Sequence, residues 1–164
     1  MKVACTAKRT SQCQCGEVRL EASAEPILAA VCYCDDCQAG ARRLEELPGA
    51  PSVLDEDGGA SYLIYRDDRF SCVAGADRLE GHKLREKSPT TRYVASCCNT
   101  AMYLKFGRGH WVSAYRTRFE QVGLPPVEMR TNTRFRTFKG PYPDKAPTHK
   151  RFPLMLFAKL AKAR

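Results

Sequence analysis

The stretch Cys32-Tyr33-Cys34-Asp35-Asp36-Cys37-Gln38 sets three cysteines at x, x+2 and x+5. A tight knuckle holds residues at this spacing close enough to turn their sulfurs toward one point. Zinc suits such a set, since thiolates bind it at about 2.3 Å in tetrahedral geometry. Three protein ligands leave the fourth position open, as in catalytic rather than structural zinc. Four further thiols lie at Cys13-Gln14-Cys15-Gly16 and at Cys97-Cys98, enough to close a second, structural site. The expectation is two Zn2+ per chain, one closed and one with an open position. Asp35 and Asp36 are the candidate catalytic groups: inside the knuckle they can hydrogen-bond a zinc-bound water or thiol, or orient its ligands. Paired aspartates in a loop also form turns and face solvent.

Composition bears on what nine cysteines mean in 164 residues. No apolar run approaches the roughly 18 residues that span a bilayer. Met1–Thr10 has no apolar signal core, so a cytoplasmic protein is expected. In a reducing compartment, close-set cysteines point to metal or catalysis rather than to disulfides. Cys5 and Cys72 belong to no cluster, and Cys72 reads as a small buried hydrophobe. With 43% hydrophobic and 27% charged residues, the chain is of ordinary globular composition and of one-domain length. Charge is uneven. Residues 101–164 carry 14 Lys and Arg against 3 Asp and Glu, whereas residues 1–100 carry 13 against 15. An anionic partner would land on the final third.

The elements that must position the cysteines are mostly short strands. Residues 17–22 alternate apolar and charged side chains, as a half-buried strand does. The run 27–31 is continuously apolar and feeds Cys32 as a buried strand. A helix is expected over 38–47, ended by Pro48-Gly49-Ala50-Pro51. Residues 61–65 give the clearest strand, with weaker ones at 70–73 and 79–84. Residues 91–95 lead into Cys97, and 102–104 lead away from it. The stretch 110–115 reads as one more strand. These spacings predict a mainly β fold of short antiparallel strands pinned by metal. Beyond about residue 107 a proline-rich basic arm follows, closed by a helix from Pro153. This divides the chain into a zinc-binding β domain, 1–106, and an arm with terminal helix, 107–164, packed on the same domain.

Taken in order, Cys13-x-Cys15-Gly16, Cys32-x-Cys34-x-Asp36-Cys37-Gln38 and Cys98-x-Thr100 resemble the glutathione-dependent formaldehyde-activating enzymes and their centromere protein V relatives. The resemblance spans roughly residues 11–105 and implies a zinc-bound, strand-rich β-tent. It also implies a structural zinc on the first and last cysteine pairs and a catalytic zinc on the central triplet. The family's last motif would put its first ligand at Ala95, which cannot bind metal, and Cys97 is the substitute. Neighbouring side chains on a strand point to opposite faces, so Cys97 and Cys98 share one metal only on a sharply turned backbone. Otherwise Cys97 closes the central site. Tyr33 stands where the family commonly has histidine, and Asn99 replaces its glycine.

Two functions follow from these features. The first is a zinc-dependent carbon–sulfur lyase acting on a thiol or glutathione-type thiol adduct, with arginines of the arm available to substrate carboxylates. The second is a non-catalytic zinc module that binds nucleic acid or protein through the basic arm. A homodimer formed through the terminal helix is compatible with either. His82, His110 and His149 match no ligand position.

Overall fold

The computed structural model describes residues 8–164; the expectations for Cys5 and the N-terminal signal fall wholly or partly outside them. The described residues form ten strands and two α-helices, a mainly β fold as the sequence predicts. The strands are β1 (Lys8–Gln12), β2 (Arg19–Ser23), β3 (Leu28–Cys32), β4 (Ala60–Arg66), β5 (Phe70–Ala74), β6 (Leu79–His82), β7 (Thr90–Ala95), β8 (Thr100–Phe106), β9 (Trp111–Tyr115) and β10 (Met129–Thr131). The helices are α1 (Asp35–Glu45) and α2 (Leu154–Lys162).

Seven strands make the main sheet, in the order β10-β3-β4-β9-β8-β7-β6, and β1-β2-β5 make a second, smaller one. Every pairing is antiparallel except that of β10 with β3. Side chains alternate across a strand, so the apolar runs of β3 and β4 are buried on both faces. Leu28, Ala30, Tyr62 and Ile64 join Leu44 of α1 and Leu156 and Leu160 of α2 in one core cluster. Ala29, Leu63 and Tyr65 face the other way, where Ala22 of β2 and Phe119 cover them. The order of layers is therefore helices, main sheet, small sheet.

The structure adds two strands that the sequence did not signal. β1 (KRTSQ) has no apolar side chain to reveal its period. It is a strand because its full length pairs with β2, from Lys8↔Ser23 to Gln12↔Arg19. β10 lies within the expected arm, which thus enters the main sheet as an edge strand rather than only lying over it. Its anchor is Arg130, whose side chain is 2% exposed. Arg130 donates to the Tyr33 hydroxyl at 2.7 Å and to Asp144 at 2.7 Å, while Tyr33 donates to Asp57 at 2.5 Å. Arg136 adds its guanidinium 3.5 Å from Asp57 and over the Tyr142 ring, 4.1 Å from its centroid. Buried charges persist only when paired and hydrogen-bonded, so this network fixes the arm to the sheet.

Helix α1 begins at Asp35, not at Gln38, and the central knuckle is therefore half helix. Cys34 is the N-cap, its sulfur accepting from the Cys37 amide at 3.3 Å. Asp35 and Asp36 occupy the first turn, where the helix dipole favours acidic groups. Gln38 is buried and donates to the carbonyls of Tyr33 and Phe135 at 2.6 and 2.9 Å, tying the helix start to the arm. At Gly40 a Cβ would collide with the guanidinium of Arg92, which crosses the helix to reach the Asp36 carbonyl at 2.8 Å.

Candidate metal centres

Seven of the eight described cysteines fall into two sets, and within each set all sulfurs lie within 4.8 Å of one another. Cys13, Cys15, Cys97 and Cys98 form the first. Cys13 and Cys15 flank the turn between β1 and β2, and Cys97 and Cys98 sit in the turn between β7 and β8. The sulfur of Cys13 lies 3.5 Å from Cys15 and 3.8 Å from Cys97, Cys15 lies 3.3 Å from Cys97, and Cys97 lies 3.9 Å from Cys98. Four sulfurs at about 2.3 Å around a tetrahedral ion would be about 3.8 Å apart. The donor set therefore fits zinc in both chemistry and size.

Adjacent cysteines share this centre because the backbone between β7 and β8 turns sharply. The Cys98 amide donates to the Ala95 carbonyl at 3.3 Å, and Asn99 takes a left-handed conformation with φ of 53°. Asparagine tolerates that region better than most residues. Cys97 accordingly lies with the first pair and not with the central triplet. The Val18 amide donates to the Cys13 sulfur at 3.2 Å, and the Thr100 hydroxyl lies 3.0 Å from the sulfur of Cys98. Burial pushes the Cys98 thiol up, but the Thr100 hydroxyl and neighbouring sulfur contacts outweigh it and bring the thiol down to about 6. A thiolate is the form that binds metal.

Cys32, Cys34 and Cys37 form the second set. Cys32 ends β3 and is buried; Cys34 and Cys37 belong to the start of α1 and are half-buried. The thiols of Cys34 and Cys37 donate toward the Cys32 sulfur and hold its thiol well below the usual range, against the upward push of burial. The same contact holds the Cys34 thiol up, at about 11. Among the described residues the group consists of these three sulfurs alone. Two groups from outside the knuckle touch it: the Tyr62 hydroxyl donates to Cys37 at 3.4 Å, and the Asn132 amide to Cys32 at 3.5 Å. Neither could be found from sequence spacing, because Tyr62 arrives across the β3–β4 register and Asn132 follows β10.

Two depressions meet at this triplet. One, of about 360 Å3, lies between the main sheet and α2. Cys32 and Cys37 line one part of it; its walls are almost wholly apolar, among them Ile64, Leu104, Trp111, Phe152, Leu156 and Leu160. The other is an open cleft with Cys34, Asp35, Asp36, Arg134 and Arg151 on its walls. Both aspartates are exposed. Asp36 accepts from Arg85 at 3.1 Å, and both side chains of that pair are more than half exposed.

Several arginines of the basic final third are turned inward, whereas eight of its 14 Lys and Arg are exposed. Arg116 donates to the Pro125 carbonyl, Arg118 to those of Ala101 and Ser52, and Arg136 to that of Gly140. His110 binds no cysteine set; its Nε2 lies 2.8 Å from the Leu160 carbonyl and helps seat α2. Cys72 is half-buried, and its thiol lies 3.1 Å from the Ala74 carbonyl. No helix among the described residues is long and apolar enough to cross a membrane.

Residues 8–44 match the family model of the glutathione-dependent formaldehyde-activating enzymes. No curated protein matches the chain. Among solved structures, a Rhodobacter sphaeroides protein, determined as a structural-genomics target, is 17% identical. The alignment covers 71% of this chain and 91% of that one, with a TM-score of 0.48. Over the segment that carries the first cysteine pair and the whole central triplet, this chain is similar to the glutathione-dependent formaldehyde-activating family.

Proposed function

We propose that the protein is a zinc-dependent carbon–sulfur lyase-like enzyme acting on a thiol adduct, with one structural and one open zinc site. The contrast between the two cysteine sets carries this reading. One set offers four sulfurs; the other offers three and faces a cavity. The family match over residues 8–44 supports it independently.

In the lyase direction the carbon–sulfur bond of a 1-hydroxyalkyl thioether breaks, and its electron pair leaves with sulfur. The hydroxyl proton passes to that sulfur as the carbonyl forms, and the reverse reaction joins thiol and aldehyde. Zinc held by Cys32, Cys34 and Cys37 would supply Lewis acidity toward the sulfur or oxygen. Asp36, with Asp35 beside it, stands at the lip of the open cleft and is the group assigned to carry the proton. Tyr62 and Asn132 orient the cysteine sulfurs through their hydrogen bonds. The inward-turned arginines of the arm serve internal carbonyls and carboxylates, so binding nucleic acid would rest on its exposed Arg134, Lys139, Lys145, Lys150 and Arg151.

Metal analysis and cobalt substitution test the proposal. The purified chain should hold two zincs, and Cys34→Ser should lose one while staying folded. Thiol–aldehyde exchange followed by NMR should be accelerated by wild type and not by Cys34→Ser. Cobalt in the central site should change its spectrum on addition of a small thiol. A four-sulfur spectrum there, indifferent to thiol, would sink the reading.

A further inference from the structure

The cavity beside the triplet indicates what kind of thiol adduct the site would take; the argument rests on the open-site reading above. A peptide thiol such as glutathione carries charged and amide groups around its sulfur. Those groups lose their water in an apolar cavity and find no partners there, which disfavours binding. The walls here are Ile64, Leu104, Trp111, Phe152, Leu156 and Leu160, and Cys32 and Cys37 lie among them. Its volume of about 360 Å3 falls in the range of small-molecule sites.

The cavity is a built feature and not a gap left by loose packing. Its outer wall is α2, which three polar contacts seat on the sheet. His110 meets the Leu160 carbonyl, Arg66 donates to the Ala163 carbonyl at 3.0 Å, and Lys159 pairs with Glu128. Phe152 lines both the apolar cavity and the open cleft, so it stands between the two. At the cleft Arg134 and Arg151 stand beside Asp35 and Asp36, and Asp36 is already paired with Arg85, so any cation open to a thiol's carboxylates lies in the cleft and none lines the apolar cavity.

We infer that the site takes a thiol whose sulfur bears an alkyl or aryl group, and that this group occupies the cavity between the main sheet and α2. Glutathione is then a poor ligand and short apolar thiols are better ones.

Trp111 provides a direct readout, being the chain's single tryptophan and part of the cavity wall. Ethanethiol, propane-1-thiol, butane-1-thiol, benzyl mercaptan and glutathione would be titrated into the metal-loaded protein, following Trp111 emission. The cobalt-substituted protein would be titrated in parallel by absorption. Each added methylene should lower Kd about fourfold, and butane-1-thiol should bind at least about tenfold more tightly than glutathione. Leu104→Gln should weaken butane-1-thiol and leave ethanethiol nearly unchanged. Should that variant misfold, Phe157→Ser, at a partly exposed residue of α2 that also lines the cavity, makes the same comparison. The inference is overturned if Kd does not change with chain length, or if glutathione binds as well as butane-1-thiol. Cobalt that answers all thiols alike leaves the open-site reading standing and removes this one. Emission that follows chain length while cobalt stays silent shows an apolar pocket that does not bring the thiol to the metal, and removes the open-site reading and this inference with it.

Discussion

Replacing Arg130 with Met tests whether the buried ion network holds the C-terminal third on the sheet. The Arg130 side chain is 2% exposed and Asp57 9%, whereas Asp144 is 41% exposed. Removing one partner of a buried pair costs about 3–5 kcal/mol, because the other charge stays buried without compensation. Asp144 regains water when Arg130 is gone and adds little. Asp57 keeps the Tyr33 hydroxyl, and Arg136 remains 3.5 Å away, so the lower end of the range applies. The expected loss is about 3 kcal/mol. In a chain of this size that lowers Tm by roughly 6–12 °C. Thermal melting followed by circular dichroism measures it, with metal content checked to separate this effect from loss of zinc. Asp57→Asn takes a partner from Arg136 as well as from Arg130, so the double variant should lose less than the sum of the two single losses. A shift under about 2 °C, or additive losses in the double variant, would refute the reasoning.

Other expectations follow from particular residues. Burial pushes the Asp55 carboxyl up to about 6, whereas it titrates near 3.9 unfolded. Between about pH 4 and 6 the folded chain therefore keeps a proton that the unfolded chain has lost, and stability falls as pH rises. Asp55→Asn should remove up to roughly 3 kcal/mol of that fall, seen as a smaller difference in melting between pH 4 and 7 than in wild type. An unchanged pH profile would contradict it. Cys15→Ser should lower Tm sharply and release zinc, since a structural metal contributes folding free energy; wild-type melting with full zinc content would end the structural assignment. At Gly59 a Cβ would meet Val31 and the Tyr33 ring. Gly59→Ala should thus cost about 1–3 kcal/mol of overpacking, and a denaturant midpoint equal to wild type would show that the site relaxes freely.

The sequence by itself determined the central cysteine triplet, the Cys13/Cys15 pair and most of the strands. Cysteine spacing of two to five residues is local, so a turn or a helix start fixes it almost regardless of the rest of the fold. The apolar runs at 27–31 and 61–65 likewise showed their strands, because burial on both faces requires apolar side chains at every position. Tertiary structure decided what depends on partners distant in the chain. β1 is polar throughout and is a strand only through β2. Cys97 could have joined either centre until the turn at Asn99 aimed it at Cys13 and Cys15. Arg130 reads as one more solvated charge in a basic tail, yet it is among the most buried side chains, because Tyr33 and Asp57 wait for it beneath β10. The apolar cavity beside the triplet exists only where α2, more than 110 residues after Cys37, closes over the main sheet. Spacing carries the chemistry of a metal centre; the surroundings that choose its ligand are assembled from the whole chain.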